Sequence, residues 1–227
     1  MTLLERTYKT IDAVRDNSDS AIVFCSLGKD SLVTLDLIYP RFKRIVCVFM
    51  YFVPGLQHIE NWINWVKARY PKVEFKQIPH WNLSYILRGG LYCVPNQKVK
   101  LIKLADVVKA IRLNTGIQYV FLGMKKADSM NRRLMLNGYE ADEYIHNGSV
   151  YPLAEWKQKD VLAYMKQKQL PEPIRYSLKA SSGTGFNVDC FLWLREKFPQ
   201  DLQKIYKTFP MSERILFEYY NKLKETK

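Results

Sequence analysis

Apolar residues change their spacing repeatedly along this chain, and the changes mark out its elements. Leu3, Leu4, Tyr8, Ile11 and Val14 recur every three or four positions and predict a packing helix. Ala21-Ile22-Val23-Phe24-Cys25 is then an unbroken apolar run of strand length, and Leu32, Val33, Leu35 and Ile38 return at once to helical spacing. Pro40 stops that helix, and Arg44 to Tyr51 reads as a strand apolar on both faces, as in a buried parallel sheet. Leu56, Ile59, Trp62, Ile63 and Val66 predict an amphipathic helix over 55–70, closed by Pro71, before a third strand over 73–78. The mixed segment 79–97 predicts an irregular loop or a short helix, 100–114 a helix, 119–122 a fourth strand, and 156–168 a helix broken by Pro171 and Pro173.

This alternation predicts an α/β fold, a doubly wound and mostly parallel sheet with right-handed crossovers and helices on both faces. In such sheets ligands sit beyond the carboxyl ends of the strands. Ala180 to Gly185 reads as a connector, after which Phe191, Leu194, Leu202, Ile205, Ile215, Leu216 and Tyr219 predict two or three tail helices. The expected organisation is a main domain over residues 1–175 with its N-terminal helix and an α-helical C-terminal extension over 176–227.

Composition narrows the picture only a little. A chain of 227 residues, 48% hydrophobic, can bury a substantial core. The net charge of +13 suits an anionic nucleotide, a nucleic acid or plain solubility alike. No apolar run approaches a membrane span, and the first residues do not form an export signal, so a cytoplasmic protein with no membrane partner is expected. The four cysteines lie far apart without the spacing of a zinc or iron–sulfur site. Cys25 and Cys47 fall inside strand patterns and read as small buried hydrophobes.

Candidate chemistry concentrates at Ser26-Leu27-Gly28-Lys29-Asp30-Ser31, where the first strand gives way to a helix. A helix start of this kind leaves backbone N–H groups unpaired and adds partial positive charge, which suits phosphate. Gly28 allows close backbone approach, Ser26 and Ser31 offer hydroxyls, Lys29 a cation, and Asp30 a hard oxygen for magnesium. The spacing is not that of the Walker loop.

The loop resembles the S-G-G-x-D-S motif of the PP-loop family, the adenine nucleotide alpha hydrolases. Gly123-Met124-Lys125-Lys126-Ala127-Asp128-Ser129 with Arg132-Arg133 is similar to the family's G-x-R-x-x-E-S-x-x-R segment. Tyr151-Pro152-Leu153-Ala154-Glu155-Trp156 with Asp160-Val161 is similar to P-L-x-x-W-x-x-x-D-V, the pattern of the phosphoadenosine phosphosulfate (PAPS) reductase and ATP sulfurylase branch. The resemblance implies a Rossmann-like nucleotide-binding enzyme. It implies phosphate contacts from Ser26, Leu27, Gly28, Lys29, Ser31, Gly123, Lys125, Lys126, Arg132 and Arg133, catalytic roles for Lys29, Asp30 and Ser31, and Mg2+ on Asp30. ATP or PAPS would be the nucleotide.

Two departures bear on the reaction. Leu27 stands where ATP pyrophosphatases usually carry glycine, and 51–55 lacks the acidic residue that related enzymes often place after the second strand. The E-C-G-[IL]-H motif, which supplies the reductase's nucleophilic cysteine, is missing as well. ATP pyrophosphatase chemistry, attack on the α-phosphorus with adenylylation of an unknown acceptor and release of pyrophosphate, is therefore the leading expectation. A sulfonucleotide reductase using Cys190 or Cys93 is the alternative. A further alternative is a non-catalytic nucleotide-dependent protein that binds nucleic acid or a protein partner, with Trp81, Tyr85, Tyr92 and Tyr176 as stacking residues. An exposed helical Arg132 would pair with Asp128 for only about 0.3–0.5 kcal/mol. Trp156 and Asp160 are expected to be structural, His80 and His146 have no assigned role, and a homo-oligomer remains open.

Overall fold

The computed structural model describes residues 1–174, 176 and 185–225; the expected connector lies, but for Gly185, outside the described residues. The elements follow in the order α1 (Leu3–Arg15), β1 (Ser20–Phe24), α2 (Lys29–Ile38), β2 (Arg44–Tyr51), α3 (Gln57–Arg69), β3 (Val73–Pro79), α4 (Leu83–Gly89), α5 (Leu104–Thr115), β4 (Val120–Phe121), α6 (Met130–Asn137), β5 (Ile145–His146), β6 (Ser149–Val150) and α7 (Gln158–Gln167). Then come α8 (Val188–Lys197), α9 (Pro199–Thr208), a 3-10 turn over Pro210–Glu213 and α10 (Arg214–Glu225). The α1 helix starts at Thr2, whose hydroxyl accepts from Glu5 N–H at 3.2 Å while the Glu5 carboxylate takes the Thr2 N–H at 2.7 Å. This reciprocal cap satisfies two orphan donors.

The strands form one mostly parallel sheet in the order β3-β2-β1-β4-β6-β5. β1 runs parallel to both β2 and β4, β4 runs parallel to β6, and the β5–β6 hairpin is antiparallel. The chain therefore winds outward from β1 in one direction, then returns to lay β4 on its other side. That reversal brings the loops after β1 and β4 to the same edge of the sheet. Its interior is apolar: Ile22, Val23, Ile45, Val46, Val120, Phe121 and Val150 are fully buried.

Three elements differ from the sequence expectation. The hairpin was not expected, because each of its strands is two residues long and shows no alternation. Its signal is the dipeptide Asn147-Gly148, both residues at positive φ, as a two-residue hairpin turn requires. A Cβ at Gly148 would also lie 3.0 Å from the Gln118 carbonyl oxygen. The α5 helix begins at Leu104 and not at Lys100, since Ile102 N–H donates to Ser84 Oγ at 3.0 Å and holds that stretch against α4. The β4 strand is confined to Val120–Phe121.

The chain forms two compact units: Met1–Met50, Val66–Ile78 and Ala105–Pro173 make the first, and Tyr51–Trp65, Pro79–Leu104 and Ile174–Lys227 the second. Within the first, Trp156 Nε1 donates to Thr7 Oγ1 at 2.8 Å, and the hydroxyls of Tyr70 and Tyr164 both donate to Asp36, at 2.9 and 2.8 Å. Within the second, Cys190, Phe191, Leu194, Leu202 and Phe209 build the core. Among the described residues no helix is long and apolar enough to cross a membrane.

Candidate functional site

The first unit brings the two predicted motifs together at the mouth between β1 and β4. Gly28 is the N-cap of α2 and, having no side chain, gives its first turn no side-chain cap. The end of α2 thus keeps backbone donors and the positive end of its dipole for an external anion. By contrast, α6 closes its own start, where Ser129 Oγ accepts from Arg132 N–H at 3.2 Å. Before Gly28, Leu27 is buried with a φ of 60°. A non-glycine residue in this left-handed region costs roughly 1–2 kcal/mol, and the buried side chain compensates by packing.

The hydroxyls divide their work. Ser31, almost fully buried, donates to the Gly28 carbonyl at 3.0 Å and so braces the loop from the first helical turn. Ser26, on the exposed side, lies 3.4 Å from Ser31 Oγ. Ser26 is therefore the hydroxyl open to a ligand.

The charges form an alternating chain. Lys29 Nζ donates to Asp30 Oδ2 at 2.8 Å; Asp30 Oδ1 lies 2.7 Å from Lys125 Nζ; Lys125 Nζ lies 2.9 Å from Asp128 Oδ1; and Arg132 donates to Asp128 Oδ2 at 2.7 Å. The contact of Asp30 Oδ1 with Lys125 is an ion pair without hydrogen-bond alignment. Burial pushes the Asp128 carboxyl up, but the Lys125 ammonium and backbone N–H, with Arg132, outweigh it and hold the group below its ordinary range. Gly123 lets the segments meet, since a Cβ there would stand 2.9 Å from the Asp30 carbonyl carbon and oxygen.

Several expected phosphate ligands take other places. The side chain of Lys125 is only 3% exposed, which makes it an internal tie between the motifs. Lys126 points elsewhere: its ammonium donates to Glu155 at 2.8 Å, Glu140 at 2.9 Å and the Tyr144 hydroxyl at 3.0 Å. Burial opposes the Lys126 charge, yet these partners prevail and hold its pKa well above the ordinary lysine value. Consecutive lysines had looked equivalent in sequence, but one serves the loop and the other a structural cluster. Arg132 is bound to Asp128, while Arg133 is exposed on α6 with no ion pair among the described residues.

Magnesium was expected on Asp30, and the donor set does not fit a resident ion. Oδ1 is shut off from solvent beside Lys125, and Oδ2 is taken by Lys29. Mg2+ demands near-octahedral oxygen ligands and keeps several waters. Among the described residues no group of three His, Cys, Asp or Glu is placed to hold a metal.

The candidate thiols are enclosed. Cys190 is 0% exposed in the second unit's core, and burial pushes its pKa up to about 11. Cys93 is also buried, and desolvation raises it too. A nucleophilic cysteine needs its thiolate and access, and neither has them. The aromatics weighed for nucleic-acid stacking are engaged within the second unit: Tyr92 packs on Phe186 at 4.8 Å, Tyr176 on Trp193 at 5.1 Å and Trp81 on Tyr85 at 5.9 Å between centroids. In the same unit a constellation went unseen in the sequence. Asp201 accepts from the backbone N–H groups of Gln57 and His58 at 2.7 and 3.0 Å and from His58 Nδ1 at 2.7 Å. No local pattern links residues so far apart in the chain.

A mostly parallel sheet whose first strand runs into an uncapped helix start, met through a glycine by a basic segment after β4, is the architecture of a PP-loop protein of the adenine nucleotide alpha hydrolase class, a class of nucleotide-dependent enzymes. Residues 20–176 match the model of the phosphoadenosine phosphosulfate reductase domain, and the chain belongs to that family. It is 27% identical over 169 residues to the adenosine 5'-phosphosulfate reductase of Staphylococcus haemolyticus, covering 70% of this chain and 66% of that protein. It is likewise 27% identical over 162 residues to the protein of the same name from Geobacillus thermodenitrificans, covering 70% and 68%. The chain thus spans about two thirds of the length of these relatives. Among solved structures, an NH3-dependent NAD synthetase of Campylobacter jejuni aligns over 96% of this chain and 94% of its own at 14% identity, with a TM-score of 0.48.

Proposed function

We propose that this protein is an adenine-nucleotide enzyme that seats the phosphate tail of ATP on the turn Ser26–Ser31 and transfers the adenylyl group to an acceptor. An acceptor oxygen or nitrogen forms its bond to the α-phosphorus as the bond from that phosphorus to the bridging oxygen breaks. Pyrophosphate leaves with the electron pair, and the acceptor proton passes to solvent. The open first turn of α2, with Lys29 and Ser26 beside it, is the observation that carries this reading. Its N–H groups and the helix dipole oppose the charge that grows on the departing pyrophosphate, and preorganised donors do this without reorganisation. Ser31 keeps the turn in shape, and Asp30 holds its lysines. Magnesium belongs to this scheme as part of the Mg–ATP substrate.

The family match and the adenosine 5'-phosphosulfate reductases among the relatives favour a second reading, a sulfonucleotide substrate whose sulfuryl group is reduced to sulfite. Cys93 and Cys190 are buried, so an added dithiol supplies the thiolate when this reading is tested. Incubation with Mg–ATP and candidate acceptors, assayed for pyrophosphate, is set against incubation with APS or PAPS and a dithiol, assayed for sulfite. Pyrophosphate release supports the first reading. Sulfite release without pyrophosphate overturns it.

A further inference from the structure

Asp30 separates two lysines that differ in freedom. The side chain of Lys125 is 3% exposed and lies between Asp30 and Asp128, so removing it would take from both half-buried carboxylates the one buried cation they share and leave each only its more exposed partner, Lys29 or Arg132. Lys29 is 29% exposed, on a flexible stem, and its pair with Asp30 is the partly solvated kind that costs little to break. We propose that Lys125 is a fixed anchor for Asp30, and that Lys29 is an exchangeable cation, parked on Asp30 until a phosphate tail reaches the turn. Asp30 is then a positioning residue rather than a metal ligand. This rests on the reading of the turn as a nucleotide site.

The geometry assigns each partner its part. An arriving anion meets the α2 N-terminus first, and Lys29, the residue at that terminus, needs only a side-chain rotation to face it. Asp30 does not lose its counter-charge when Lys29 departs, because the Lys125 ammonium stays 2.7 Å from Oδ1. Gly123, pressed on the Asp30 backbone, keeps that stretch of main chain against the segment that carries Lys125. A metal ion on Asp30 would have to expel Lys29 and reach past a closed Oδ1, so the turn's own cation takes the work a resident metal would do.

Calorimetric titration of the whole protein with ATP and with inorganic pyrophosphate, in EDTA and in magnesium, tests the exchange. Binding in EDTA within about threefold of that in magnesium, weakened about tenfold or more in Lys29→Met and kept or tightened in Asp30→Asn, is the expected result. A gain of more than about tenfold from magnesium that disappears in Asp30→Asn would overturn it. A double-mutant cycle in urea with Asp30→Asn and Lys125→Met needs no nucleotide. Strong coupling between the two changes supports the anchor, and strict additivity overturns it. No binding in either buffer would overturn the nucleotide reading and the exchange with it, leaving the cycle to judge the anchor.

Discussion

Gly123 is pressed so closely on the backbone of Asp30 that a methyl group at position 123 would stand 2.9 Å from the Asp30 carbonyl. The obstacle is main chain at the start of a helix, which has no rotamer by which to retreat. Gly123→Ala is therefore expected to cost about 1–3 kcal/mol of stability, the usual penalty for overpacking. It should also weaken nucleotide binding, because the α2 terminus must shift. Denaturant midpoints together with ATP titration check both effects, and an unchanged affinity would contradict the convergence of the two motifs.

Leu27 offers a test with opposing terms. Glycine at this position would relieve roughly 1–2 kcal/mol of left-handed strain but give up about 2–3 kcal/mol of side-chain burial and stiffen nothing in return. The expected outcome for Leu27→Gly is a net loss of about 1–2 kcal/mol by urea unfolding. A more stable variant would mean that strain, not packing, dominates the turn.

All four cysteines are free and buried. In the native protein they are expected to react with a maleimide only after denaturant is added. Cys190→Ala should leave either reaction rate unaltered while removing about 1 kcal/mol or so of core packing. Loss of sulfite release in this variant at full nucleotide affinity would restore Cys190 as a nucleophile.

His58 makes stability depend on pH. Burial lowers its pKa below the ordinary 6.5, and the hydrogen bond and charge of Asp201 offset only part of this. The unfolded chain thus binds the proton more readily than the folded one as pH falls below about 6.5, and stability is lost in that direction at up to about 1.4 kcal/mol per pH unit. His80 is lowered by burial as well and adds to the slope. His58→Gln should flatten the acid limb between neutral pH and pH 5 without abolishing it, as unfolding free energies measured across that range would reveal. An unchanged slope would exclude His58 as its source.

Much of the scaffold was legible because strands buried on both faces and amphipathic helices leave different spacings in the chain. Ala21–Cys25 and Arg44–Tyr51 could be read this way, and so could the helix that starts at Leu3. Elements too short to show a period escaped, as the β5–β6 hairpin did, although Asn147-Gly148 marked its turn. The site was legible as two motifs and less so as partners. Lys125 and Lys126 are neighbours of the same type, and only the fold sends one to Asp30 and the other to Glu140, Tyr144 and Glu155. The Arg132–Asp128 pair was readable from its spacing, although Asp128 lies just before the Ser129 cap, so the pair spans the start of α6 and not one helical face.

Taken by itself, the order of residues determined the alternation of strand and helix, the glycine-bearing turn after β1 and the family to which these motifs point, because all three are written in short-range spacing. Tertiary structure decided which charges meet. It placed Asp30 between two lysines, buried the thiols that a reductase would need exposed, and joined His58 to Asp201 across most of the chain. Such pairings depend on where the backbone returns in space, and electrostatics acts on distance through space, not on separation along the chain.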